Sequence, residues 1–312
     1  MRLNEPEDGF LGIPVETDLD RIDADVAILG VPHGWRYPQP GTTAGCAAAP
    51  TAIRRRAARL ARFREHWDFD VDAPLLPSSI RVVDAGDVPG DPDDGEGNSR
   101  RTTVAVSALL DRGVVPICLG GDDSVPIPIL RAFAGRGPLT VLQVDAHLDF
   151  RDEVDGVREG YSSPMRRASE MDHVERIVQV GLRGVGSARS SDVDDARAAG
   201  NLLVTAREIR ERGVAHVLDL LPPDAAVFVS FDCDGLDPSV LPAVSALAPG
   251  GLSYADAADL VSAIGPRLAG AVFTEFVPDL DRQDLSALIV TRLAAILARG
   301  VSNPAVLRPR LD

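Results

Sequence analysis

Aromatic side chains are scarce: phenylalanine, tryptophan and tyrosine together make up 4% of the 312 residues. With hydrophobic content at an ordinary 45%, the core must be built mainly from Ala, Val, Leu and Ile. Cysteine is sparse as well. Cys46, Cys118 and Cys233 are odd in number and far apart, which fits neither a disulfide framework nor a CxxC metal pattern. No apolar run reaches the 18 residues of a membrane-spanning helix, and the opening MRLNEPEDGF lacks the charged-then-apolar pattern of a secretion signal. A reducing cytoplasm is the expected location, with no membrane partner. Net positive charge is missing too: the formal charge is −15, which argues against a nucleic-acid phosphate backbone as partner. A negative field is better suited to a cationic ligand, though acidity of this kind often serves only solubility. No glycine-rich dinucleotide or phosphate loop follows the first apolar run, and neither a GxSxG segment nor a Cys–His arrangement is present. There is no internal repeat.

What the sequence does contain is a series of short Val/Ile/Leu-rich runs, at 24–32, 79–87, 113–121, 139–147, 175–183, 201–206, 225–234 and 270–276. Their near-continuous apolar character predicts strands covered on both faces. Amphipathic stretches lie between them. Ser99 is the expected N-cap of a helix over RRTTVAVSALLDR, with Gly113 just past its end. Ser253 and Asp256 predict a capping box. Leu285, Leu288, Ile289, Leu293, Ile296 and Leu297 trace one helical face that stops at Gly300. Residues 87–100 read as a polar loop whose acids lack the spacing of a calcium loop. Alternating β and α elements predict an α/β fold with a mostly parallel sheet and helices on both sides. Nothing resembles a linker, so one domain is expected over 1–312.

Ligands of open parallel sheets bind at the carboxyl ends of the strands, and polar residues fall there repeatedly. VLQVDAHLDF places Asp145, His147 and Asp149 just past one strand, and VFVSFDCDGLDPS places Asp232, Asp234 and Asp237 just past another. At i, i+2 and i+4, extended side chains project to one side, so a single segment brings three donors to one centre. So many carboxylates together repel one another unless cations hold them. Carboxylates with one imidazole suit a hard divalent ion such as Mn2+, with two ions sharing bridging aspartates. A lone Asp after a strand is ordinarily a cap or turn residue. The two clusters together are what predicts metal.

On these residues the sequence resembles the ureohydrolase family of arginases, agmatinases and related guanidino-hydrolases. DAHLD (145–149) and SFDCDGLDP (230–238) are similar to its two signature segments. GVPHGWRYPQPGTTAGCAAAPTAIRR (30–55) resembles the opening strand-loop-helix, GGDDS (120–124) the GGDHS segment, and FTEFVP (273–278) the ExxP segment. The resemblance implies a three-layer α/β/α domain with eight parallel strands, a homo-trimer or homo-hexamer, and two Mn2+ whose bridging hydroxide attacks a guanidinium carbon to release urea. It implies that Asp145 and Asp232 bridge the metals, that Asp149 completes one site, and that His147 and Asp234 complete the other. Glu275 matches the glutamate that pairs with the substrate guanidinium. The arginase loop that binds an amino-acid head, rich in Ser and Asn, has no match in RDEVDGVREGYSSP, so the likeness is closer to agmatinases. The implied substrate is a small cationic guanidino compound.

Two expected histidines are replaced. Asp123 stands where GGDHS has its ligating histidine, which makes it the sixth candidate ligand. An extra negative charge about 4 Å from a bound water is worth roughly 4 kcal/mol at an effective dielectric of about 20, unless a cation such as Arg151 or Arg158 offsets it. Tyr161 stands where agmatinase-like relatives have a proton-shuttling histidine. Its reference pKa near 10 suits a donor better than a base. His33, in the loop after the first strand, reads as an exposed loop residue. His66, His173 and His216 suggest nothing catalytic. Cys118 and Cys233 read as small core residues. The changed histidines leave two other readings open: hydrolysis of another linear C–N bond (amide, amidine or formimino), or a non-catalytic metal-binding homologue.

Overall fold

Eight apolar runs become eight strands. The computed structural model describes residues 1–38 and 44–301. Within them β1 (Val26–Val31), β2 (Val82–Asp87), β3 (Val115–Gly120), β4 (Leu139–Val144), β5 (Val174–Leu182), β6 (Leu202–Thr205), β7 (Val227–Asp232) and β8 (Leu268–Thr274) form one sheet. Its order is β2-β1-β3-β8-β7-β4-β5-β6, and every pairing is parallel. β1, β3, β4, β7 and β8 are buried along their whole length, which is why they read as unbroken apolar runs. The chain runs outward from β1 to β2, returns for β3, builds β4 to β6 further along, and then fills the gap with β7 and β8. As a result β3, β8, β7 and β4 end side by side at the centre of the sheet. That edge faces the site.

The helices are α1 (Ala49–Ala58), α2 (Gly95–Asp111), α3 (Pro126–Arg131), α4 (Pro164–Ser169), α5 (Ser190–Ala198), α6 (Ala206–Arg212), α7 (Val214–Asp219), α8 (Tyr254–Ile264) and α9 (Leu285–Gly300). α2, α3 and α4 pack in series, while α1, α9, α8, α7 and α6 pack in another. These two groups cover a sheet buried on both faces, the α/β arrangement expected. The Ser253–Asp256 capping box opens α8, with Ser253 Oγ accepting from the Asp256 amide at 3.1 Å and the carboxylate returning to the Ser253 amide at 3.0 Å. Gly113 follows α2 with φ 72°, the left-handed turn expected there.

Two expectations are corrected. Ser99 is not an N-cap: α2 begins at Gly95, and Asp94 caps it by accepting from the Gly97 amide at 2.9 Å. Part of the polar loop at 87–100 is therefore helical. Aspartate caps as well as serine does, and the two early glycines, each unfavourable in a helix by about 1 kcal/mol, hid the start. Gly97 has its own use, since a Cβ there would collide with the Asp94 carboxylate. The second departure is a short antiparallel pair, Trp67–Asp68 with Ala73–Pro74, which no alternating pattern announced.

The sequence contains no lysine, so all 32 basic side chains are arginine. Arg54 of α1 is the most deeply buried of them and binds Asp84 and Asp87 of β2. Among the described residues no helix is long and apolar enough to cross a membrane.

Candidate metal centre

Each of the four central strands delivers an acidic side chain from its carboxyl end: Asp123 after β3, Asp145 and Asp149 after β4, Asp232 and Asp234 at the end of β7, and Glu275 after β8. Asp123, Asp149, Asp232, Asp234 and Glu275 line, with His147, a cavity of about 260 Å3, whose outer wall is Tyr161, Ser162, Val185, Gly186, Ser187, Ser245 and Ala246. Asp145 is buried behind this lining, within donor reach of four of its members. Five carboxyl groups thus share one small space with a single imidazole.

Donor atoms fall into two groups close enough to hold an ion each: Asp145, His147 and Asp234, and Asp123, Asp145 and Asp149. Asp145 belongs to both. Its Oδ1 accepts from the His147 amide at 2.5 Å and its Oδ2 from Gln143 Nε2 at 2.6 Å. His147 Nδ1 lies 3.0 Å from Asp234 Oδ2, and the ring packs against Gly186, where a Cβ would collide with it. Asp234 Oδ1 accepts from the Ala146 amide at 3.1 Å. Asp232 lines the cavity but belongs to neither group; its Oδ1 accepts from the Asp234 amide at 2.7 Å. Asp123 Oδ1 accepts from Thr274 Oγ1 at 2.6 Å, while its Oδ2 is buried with no hydrogen-bond partner. A buried, unpartnered carboxylate oxygen is costly. Aimed into a nest of acids, it fits a cation.

Electrostatics agree. Burial first, then neighbouring carboxylates, pushes Asp123, Asp145, Asp149 and Asp232 well above the usual carboxylate range. His147 is raised to about 9, chiefly by its hydrogen bond to Asp234. Without a counter-charge the cluster is frustrated. The donor set, hard oxygens with one imidazole, fits divalent ions of the Mn2+ kind.

Two residues of the site hold strained backbone. Asp149 and Glu275 hold positive φ angles of 46° and 63°, a region unfavourable for residues with a Cβ. The Glu275 amide donates to the Gly121 carbonyl at 3.0 Å; its Oε1 accepts from the Asp123 amide at 2.8 Å and its Oε2 faces Cys46 Sγ at 3.8 Å. Burial, then Asp122, pushes Glu275 up to about 8. A cationic ligand would satisfy it. Tyr161 stands over the cavity with its ring edge-on to Tyr37, centroids 4.5 Å apart. Burial raises its hydroxyl pKa, so the phenol stays protonated at neutral pH.

The proposed charge-offsetting cations lie elsewhere. Arg158 pairs with Asp152 at 2.9 Å, and Arg151 reaches the Ser187 carbonyl at 3.1 Å with Asp192 beside it. Neither reaches Asp123. The arginine beside the cluster is Arg183, whose guanidinium donates to the carbonyls of Gly181, Asp234, Gly235, Leu236 and Ala248. It braces the backbone that carries Asp234. His33 sits outside the cavity against Gly90, while His66 packs on Phe63, His173 bonds the Leu130 carbonyl and His216 faces Arg212. Asp237 binds Ser239 and the amides of Gly250 and Gly251. Cys118 and Cys233 are buried and free. Residues 39–43 of the opening segment lie outside the described residues. Sequence reading missed Gln143, Gln179, Thr274, Cys46 and Arg183. A polar residue inside an apolar run, as in VLQVDAH and IVQVGLR, was the available signal for the two glutamines.

Comparison with known proteins completes the picture. The model of the arginase family matches residues 24–299. Proclavaminate amidinohydrolase of Streptomyces clavuligerus is 30% identical over 88% of this chain and 87% of its own, and its solved structure superposes with a TM-score of 0.81 at 28% identity, covering 96% and 97%. Guanidinopropionase of Pseudomonas aeruginosa is 31% identical over 95% of this chain and 93% of its own. The structure of formimidoylglutamase from Bacillus subtilis superposes with a TM-score of 0.80 at 25% identity, covering 96% and 94%. With the family model spanning all eight strands of the sheet and the donor groups at its carboxyl edge, the chain belongs to the arginase family, whose members are binuclear-metal hydrolases.

Proposed function

We propose that this protein is a metal-dependent amidinohydrolase that cleaves a C–N bond of a small guanidino compound and releases urea, with an agmatine-like substrate preferred. The observation that carries the reading is the pair of donor groups sharing Asp145, with the carboxylate of Glu275 entering the same cavity. Asp123, Asp145, His147, Asp149, Asp232 and Asp234 would hold two divalent ions, with Asp145 common to both donor groups. Two Mn2+ held there would supply Lewis acidity and activate a water at neutral pH. The chain's residues do the rest. Glu275 accepts N–H bonds from the guanidinium and fixes its plane, a pairing suited to carboxylates. Tyr161 hydrogen-bonds the departing nitrogen and gives it a proton, which the proton lost by the attacking water replaces. Among the described residues, no arginine lines the cavity. A carboxylate tail finds no cation on its wall, whereas an amine or neutral tail meets hydroxyls and a negative field.

The test is urea release from Mn2+-reconstituted protein, offered agmatine, guanidinobutyrate, guanidinopropionate, arginine and guanidine. Agmatine is expected to be turned over fastest. Two metals bound with no urea from any of the five would sink the guanidino reading. Hydrolysis of a different linear C–N bond is the second reading, supported by the likeness to formimidoylglutamase; ammonia or carboxylate products in place of urea would select it. A non-catalytic homologue would keep its biological role in Asp232→Ala. The trimer or hexamer implied by the family resemblance belongs to the same proposal and is tested by light scattering.

A further inference from the structure

Three amide side chains cross the sheet in a line that ends on the metal-site carboxylates. Asn201, just before β6, donates from Nδ2 to Gln179 Oε1 at 2.8 Å. Gln179 of β5 donates from Nε2 to Gln143 Oε1 at 2.6 Å and to the Leu148 carbonyl at 2.7 Å. Gln143 of β4 donates from Nε2 to Asp145 Oδ2 at 2.6 Å and, more weakly, to Asp149 Oδ2 at 3.4 Å. The two glutamines are register partners in the parallel pairing of β4 and β5, so they meet on one face without distorting the ladder. All three are buried, and Gln179 is 0% exposed. In strands that are otherwise Val, Leu and Ile, such groups carry a desolvation cost that only complete pairing offsets.

The polarity of the line is set at one end. A carboxylate that holds a metal ion is ionised and only accepts, so Gln143 must turn its NH2 toward Asp145 and its oxygen toward Gln179. Gln179 must then present NH2 to Gln143 and oxygen to Asn201, which presents NH2 in turn. Each amide has one orientation that satisfies every neighbour. The Leu148 carbonyl, a second acceptor facing Gln179 Nε2, locks the middle member from a different direction. At the far end the line also settles which lone pairs of Asp145 are taken. Oδ1 receives the His147 amide and Oδ2 receives Gln143, leaving one lone pair on each oxygen for a metal ion.

We propose that Asn201, Gln179 and Gln143 are positioning residues that hold Asp145 and Asp149 in their metal-binding orientation, acting through a one-way chain of amide hydrogen bonds. The inference rests on the two-metal reading of the site. Its sharpest consequence concerns Gln179, which touches no candidate ligand side chain. Gln179→Glu places an acceptor opposite Gln143 Oε1. Gln143 is then driven to flip, turning its own oxygen toward Asp145. Metal binding should suffer at a distance, while Gln179→Met, which leaves Gln143 unsupported but not reversed, should suffer less.

The experiment is calorimetric titration of metal-free protein with Mn2+, alongside the electron paramagnetic resonance spectrum of the loaded pair and a thermal melt of each metal-free variant. Wild type should bind two ions with an exchange-coupled spectrum. Gln143→Met and Gln179→Glu should lose about 10- to 100-fold in Mn2+ affinity, the range seen when groups supporting metal ligands are removed, and change the coupling signature. Asn201→Ala and Gln179→Met should lose less, with metal-free melts close to wild type; these milder changes carry the test if Gln179→Glu fails to fold. Wild-type affinity and spectrum in both Gln143→Met and Gln179→Met would overturn the proposal. So would affinity losses that merely track a lowered melt in every variant. A wild-type protein that binds no Mn2+ instead removes the two-metal reading itself.

Discussion

The Arg54 guanidinium is 1% exposed and donates to both oxygens of Asp84 at 2.9 Å, with Asp87 Oδ1 beside Nη1 and the Gly86 carbonyl at 3.1 Å. Asp84 also accepts from the Phe10 amide, so one side chain joins α1, β2 and the N-terminal segment. Removing it strands a buried carboxylate. Arg54→Met should therefore cost about 3–5 kcal/mol in chemical denaturation, the range for breaking a buried pair from one side. Arg59→Met, which breaks an exposed pair with Asp284, should cost under about 1 kcal/mol. Equal costs would show that burial is not what makes Arg54 matter. Glu275→Gln keeps the shape of its site but removes the charge that a guanidinium would meet. A loss of about 10²-fold or more in kcat/KM with an unchanged metal-free melt is expected, in line with about 3 kcal/mol for truncating a buried charged partner. The ligand candidates were legible because their i, i+2, i+4 spacing forces convergence. Cys46 and Thr274 were not, because each meets Glu275 or Asp123 only through strand order, with 229 and 151 residues between partners.

Element boundaries show where local signals mislead. All eight strands stand at the predicted runs, since burial on both faces leaves an unbroken apolar signature that needs no tertiary knowledge. The start of α2 did not, because Asp94, Glu96 and two glycines look like a turn until the Asp94 carboxylate closes on the Gly97 amide. Asp94→Ala should lower stability by about 1 kcal/mol, whereas Ser99→Ala should change little; a reversal in thermal melts would restore Ser99 as the cap. A second element-scale case is the segment that follows β7. The Asp237 carboxylate accepts from the Ser239 amide and hydroxyl and from the Gly250 and Gly251 amides, closing the loop that carries Ser245 and Ala246 to the cavity wall. The Ser239 bonds hold its pKa down to about 2 from 3.8. A depressed folded-state pKa stabilises above the unfolded value and is lost as pH falls through the folded one. Proteolysis within 239–249 should therefore increase as pH drops from about 4 to about 2, using an acid-active protease, and Asp237→Asn should already be susceptible at pH 5. Equal susceptibility of the two proteins at pH 5 would exclude this role.

At the scale of the whole molecule, charge and topology act together. The chain order that leaves β3, β8, β7 and β4 adjacent gathers six carboxyl groups at one edge, on a protein that carries a formal −15 overall. Neither fact follows from the other. The net charge could be read from composition, but its focus at the sheet centre depends on β7 and β8 returning to fill a gap, which no local pattern encodes. Metals would neutralise part of the central charge and leave the surrounding field. Such a field speeds the approach of cationic ligands and does little for those without net charge. Its reach is about 30 Å at 0.01 M ionic strength and about 8 Å at 0.15 M. The kcat/KM for agmatine should accordingly fall by several-fold over that range, mainly through KM, while that for zwitterionic guanidinobutyrate should change little. Parallel salt responses for the two substrates would mean that the acidic surface contributes to solubility alone and that selection occurs only inside the cavity, against Tyr161, Ser162 and Ser245.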